Sequence, residues 1–185
     1  MKALPVLGLL FILAFNSCQK EPLEPVIPNE EELITRLEYH LTPENGGETL
    51  KLVFIDLDGD GGAAPTQNTV SLNANTTYNG QVYLWKDTEE PAESITEEIQ
   101  EEDEEHQFFF ESNISGLSVA YDDLDEDGLP VGLNTKLSTG NASNGYLRII
   151  LRHEPNKSAT GVADGQAENA GGETDIELDF ELEVI

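Results

Sequence analysis

From Ile176 to Val184 the chain alternates without a break. Ile176, Leu178, Phe180, Leu182 and Val184 fall on one side, and Glu177, Asp179, Glu181 and Glu183 on the other. A two-residue period sends successive side chains to opposite faces, so this stretch can bury its apolar half only as a β-strand. The same period recurs in Leu37, Tyr39 and Leu41, in Leu50, Leu52 and Phe54, and in Val82 and Leu84. It continues through the run Phe108 to Phe110, Leu117 to Tyr121, Val131 to Leu137, and Leu147, Ile149 and Leu151. Eight such segments separated by Gly, Asn, Asp and Thr turns, without helices between consecutive strands, predict an all-β domain over residues 33–185. The expected form is a single antiparallel β-sandwich, immunoglobulin-like, with a jelly roll or closed barrel as the other arrangement.

One segment breaks the pattern. Ser94-Ile95-Thr96-Glu97 matches a capping box, and Ile95 and Ile99 stand one helical turn apart. This predicts a short acidic helix from Ile95 to about Glu105, solvated and lying over a sheet end or edge. Its many carboxylates are expected to serve as solubilising surface.

The N-terminus reads as an export signal. Lys2 precedes the uncharged run Ala3 to Phe15, and polar Asn16 and Ser17 lead into Cys18. The run is shorter than the about 20 apolar residues a membrane-spanning helix needs. A small residue directly before a cysteine resembles the bacterial lipobox, although Phe15 and Asn16 depart from its usual residues. The resemblance implies cleavage behind Ser17 (signal peptide 1–17), lipidation of Cys18 and, with Gln19 next, an outer-membrane anchor. Residues 18–32 carry Pro22, Pro25 and Pro28 among carboxylates and form a semi-rigid tether. At polyproline spacing it could hold the domain up to roughly 45 Å from the lipid.

Charge excludes some partners. The chain carries a formal net charge of -28, with 37 Asp and Glu against 9 Lys and Arg. Loss of Lys2 with the signal peptide makes it one unit more negative. Such a chain repels nucleic acid and anionic lipid surfaces, since both are polyanions. Cations, basic proteins and neutral ligands such as glycans remain as partners, besides the membrane reached through the lipid.

Two loops repeat one phrase. Asp56-Leu57-Asp58-Gly59-Asp60-Gly61 and Asp123-Leu124-Asp125-Glu126-Asp127-Gly128 both read D-L-D-x-D-G. They resemble the first half of the calcium loops of EF-hands, dockerins and thrombospondin type 3 repeats, in which alternate carboxylates converge on a hard cation. The resemblance implies a calcium ion, Ca2+, held by Asp56, Asp58 and Asp60 or by Asp123, Asp125 and Asp127. The twelfth positions are Gln67 and Asn134 rather than a bidentate Glu, so Asp122 or Asp164 would have to help complete a site. The same composition also suits plain β-turns.

The three histidines offer a second ion chemistry. His40 has polar-face parity, His106 closes the acidic segment, and His153 has the parity of Leu151. No H-x-H, H-x-x-x-H or H-E-x-x-H spacing aligns them in advance. A metal or haem carrier using His106 and His153 is therefore the alternative to a calcium-stabilised, non-catalytic binding module. A hydrolase is the third reading. No nucleophile elbow, phosphate loop or zinc protease motif is present, so the expectation is that the protein is not an enzyme.

Several phrases, EELITRLEY, DLDGDGG, ITEEIQEEDEEHQFFF, LRHEPNK and NAGGETDIEL, resemble a group of small bacterial lipoproteins with no assigned activity. The label "type 1 periplasmic binding fold" attaches to such chains. That fold needs two α/β lobes, which the alternation of this sequence opposes. The resemblance thus implies export and anchoring, and it supplies no catalytic or ligand residues.

Overall fold

A computed structural model describes residues 32–59, 61–88 and 90–185. The expected signal peptide, Cys18 and nearly all of the expected tether lie outside the described residues, as does Asp60. The larger sheet contains β1 (Arg36–Pro43), β2 (Leu50–Ile55), β3 (Thr66–Gln67), β5 (Thr77–Lys86), β6 (Glu93–Ser94), β8 (Ser118–Tyr121) and β9 (Asn134–Ser138). The smaller one contains β4 (Val70–Leu72), β7 (His106–Ser112), β10 (Ser143–His153) and β11 (Glu173–Val184). Their orders are β3-β2-β1-β5-β9-β8, with β6 also on β5, and β4-β11-β10-β7. Among the described residues every strand pair is antiparallel except β4 with β11. The protein is an all-β, two-sheet fold. The first strand among the described residues is central, whereas strand A of an immunoglobulin sandwich lies at an edge.

Alternation decides what meets between the sheets. Leu37, Tyr39 and Leu41 of β1 join Tyr78, Val82 and Leu84 of β5 in one buried cluster with Leu147, Ile149 and Leu151 of β10 and the apolar face of β11. Each such side chain contributes about 1.5–3 kcal/mol on burial. The Tyr39 hydroxyl is satisfied inside the core by Thr135 Oγ1 at 2.6 Å. Gly80 lies mid-strand because a Cβ there would overlap Tyr39 and Thr135.

The Phe108 to Phe110 run breaks alternation because part of the smaller sheet is covered on both faces. Phe108 belongs to the main core, while Phe109 packs with Ile150, Val162 and Ala170 in a second cluster under the 154–172 segment. Val131 and Leu133 are also buried, although β9 begins only at Asn134.

The predicted helix exists but is shorter. α1 spans Ile95–Glu101, and a 3-10 turn at Asp103–Glu105 leads straight into β7. Ser94 makes no side-chain cap; instead Thr96 Oγ1 accepts the Leu84 N–H at 2.7 Å and donates to the Leu84 carbonyl at 3.2 Å. Ile95 and Ile99 enter the core. The helix is therefore fastened to β5, and its C-terminal end delivers Glu102 and His106 to the interior.

Candidate metal centre

The register of β7 on β10 sets His106 directly opposite His153. Both rings share the inward parity of Phe108 and Leu151, and they stack with centroids 4.7 Å apart at 26°. His106 is fully buried and His153 is 4% exposed. Cross-strand neighbours on one face meet in this way whatever their separation in sequence.

A β-bulge supplies the third group. Leu151 pairs with Ile176, but Arg152 pairs with Thr174, so Asp175 is the inserted residue. With Ile176 facing the core, regular alternation would turn Asp175 outward. The bulge turns it in, and its side chain is fully buried. Asp175 Oδ2 lies 3.9 Å from His106 Nε2, and Asp175 Oδ1 lies 3.9 Å from His153 Nδ1.

Local hydrogen bonding prepares His106 as a ligand. Its Nδ1 donates to the Glu102 carbonyl at 3.1 Å, which leaves the lone pair of the neutral ring on Nε2. Nε2 is buried and makes no hydrogen bond. Burial lowers the pKa of the ring, opposed by the bond to Glu102 and reinforced by the neighbouring His153, so the ring is held neutral.

Acid crowds the same end of the core. Glu32 is pushed up to about 7 by burial and by the charges of Glu98, Asp175 and Glu102, with a side-chain hydrogen bond to Glu98. Glu102 Oε2 is itself buried and makes no hydrogen bond. Among the described residues, the charges named as acting on Glu32 are all acidic. Glu98, Glu102 and His106 recur every fourth residue, so the acidic segment turns part of its charge inward rather than serving only as solvated surface.

The Asp-rich loops are built differently. Asp56 Oδ1 accepts the Gly59 N–H at 3.0 Å, and Asp58 Oδ2 accepts that of Ala63 at 3.1 Å. Asp123 binds the backbone N–H groups of Gly132 and Asn134 at 2.8 and 2.7 Å, closing the loop onto the start of β9. Asp125 Oδ1 accepts the Leu129 N–H at 2.8 Å, while Oδ2 pairs with buried Lys157 at 2.8 Å. Burial raises the Asp125 carboxyl, but the bonds from Lys157 and Leu129 outweigh it and hold the group ionised. Lys157 also donates to the carbonyl of Asp103, in the turn just before His106. The second loop thus anchors the turn that presents His106. Asp127 is exposed, and Asp122 Oδ2 lies 3.9 Å from Lys136 Nζ.

Among the described residues, two groups of three acid or histidine side chains bring their donor atoms within 4.8 Å of one another. They are His106, His153 and Asp175, and Glu105, His153 and Glu154. His40 lies apart, bonded to Glu38 at 2.7 Å on the outer face of β1. No family model, curated protein or solved structure matches the chain, so no enzyme relative lends it an activity.

His106 and His153 were candidates from sequence; Asp175, Glu102 and Lys157 were not. Glu98-x-x-x-Glu102-x-x-x-His106 was the one signal in the sequence that could have marked the acidic face. Nothing local announces Asp175, because its direction depends on a bulge.

Proposed function

We propose that this protein is an exported, lipid-anchored, non-catalytic module that binds a divalent first-row transition ion between His106, His153 and Asp175. The observation that carries the reading is the 3.9 Å stand-off of both histidines from one buried carboxylate. A direct ion pair would close to about 2.7–2.9 Å. Donors around a tetrahedral ion with bonds of about 2.0–2.1 Å sit about 3.3–3.4 Å apart, and the three donor atoms here lie within 4.8 Å of one another, so they must draw together to seat one. The buried Nε2 lone pair of His106 and the excess of acid around Glu32 both favour a cation here.

Imidazole nitrogen with carboxylate oxygen suits zinc, iron or manganese, whereas calcium prefers an all-oxygen shell. A bis-histidine haem fits less well. The two rings are stacked and address the same carboxylate, so they cannot approach a macrocycle from opposite faces. Anchoring rests on the Lys2 to Cys18 pattern.

Elemental analysis of protein isolated from its native membrane fraction, with zinc titration of the chelator-treated protein, tests the proposal. One equivalent of transition metal is expected, lost when His106 and His153 are both replaced. Absence of binding in the unaltered protein refutes it.

A further inference from the structure

A buried ion site needs a way in. The side chains of His106 and Asp175 are fully enclosed, and that of His153 is the one of the three with any exposure. His153 also belongs to the second group, whose other members, Glu105 and Glu154, are both exposed. The backbone fixes this arrangement: the Glu154 N–H donates to the Glu105 carbonyl at 2.7 Å, holding the residue after β10 against the residue before β7. Beside them, Glu101 to Glu105 and Glu126 line an open acidic groove of about 360 Å³.

From this juxtaposition we infer that Glu105, His153 and Glu154 form a rim capture site that takes a divalent transition ion from solution and passes it, through the shared His153, to the buried site. The inference rests on the metal reading above. An acidic cleft with a low-dielectric wall concentrates cations at its mouth. Carboxylate oxygens at the rim bind such an ion loosely, and the histidine pair with Asp175 holds it more firmly. His153 serves both sets, so the ion need never be released to water on the way. No bond changes other than coordination, and the acidic groove is the feeder.

Stopped-flow uptake of zinc by the chelator-treated full chain, with release measured into excess chelator, separates capture from storage. Glu105→Gln with Glu154→Gln, both at exposed positions, should slow uptake and release by about tenfold each, with equilibrium affinity changed by less than about threefold. Glu181→Gln with Glu183→Gln, on the outer face of β11, removes the same charge and should leave both rates unaltered. Rates unchanged in the rim variant, or slowed equally in the β11 variant, would overturn the capture role. So would an affinity loss as large as the rate loss. Failure of the unaltered chain to bind zinc would instead sink the metal reading itself.

Discussion

His106→Phe separates a ligand from a structural histidine. In the metal-free protein, His106 keeps a buried Nε2 without a hydrogen bond, a penalty of about 1–3 kcal/mol. Phenylalanine removes that penalty and keeps a ring to stack on His153, but it forfeits the bond from Nδ1 to Glu102, worth about 0.5–1.5 kcal/mol. The two partly offset, so the metal-free variant should lie between a loss of about 0.5 and a gain of about 2.5 kcal/mol. With zinc at a hundred times its dissociation constant, the unaltered protein should gain about 2.7 kcal/mol. For a domain of this size that raises the midpoint by about 5–11 °C. The variant should show none of this rise. Thermal unfolding followed by circular dichroism, in chelator and in zinc, reads both quantities at once. A metal-free loss above about 3 kcal/mol would mean that the histidine pair is a structural element. An equal zinc shift in the variant would place the ion elsewhere.

Lys157→Met should cost about 3–5 kcal/mol, because it strands the buried Asp125 carboxylate, whereas Lys157→Met combined with Asp125→Leu should recover much of the loss. Denaturant midpoints check this, and a double variant no better than the single would refute it. Glu32 should make the metal-free protein less stable as pH rises. Its folded pKa, about 7, exceeds the ordinary 4.5, so the folded state holds the extra proton between those values and stability falls across that window. Glu32→Gln should flatten the slope, and parallel urea midpoints for the two proteins from about pH 4.5 to 7 would contradict the assignment. Cys18→Ser should release the domain into the soluble fraction on cell fractionation; continued membrane retention would argue against lipid attachment.

The resemblance of the D-L-D-x-D-G loops to calcium loops depended on spacing alone, and spacing does not say where a carboxylate points. Asp123 and Asp125 lie two residues apart, as a calcium loop asks. In the fold, one closes a turn onto β9 and the other holds Lys157. The histidines, whose spacing suggested nothing, are brought face to face by the β7–β10 register. Likewise Ser94-Ile95-Thr96-Glu97 located the helix although the Ser94 cap is not made, because the burial of Ile95 and Ile99 suffices to place it.

Sequence by itself determined the strands, since a two-residue period can hide its apolar half in no other way. It also determined the net charge of -28 and the Lys2 to Cys18 pattern from which an anchor is proposed. These are local or additive properties of the chain. Strand order, the inward turn of Asp175 and the meeting of His106 with His153 belong to the tertiary structure alone. Each follows from pairing between distant segments, and a single inserted residue at the β10–β11 bulge reverses the direction in which a side chain points.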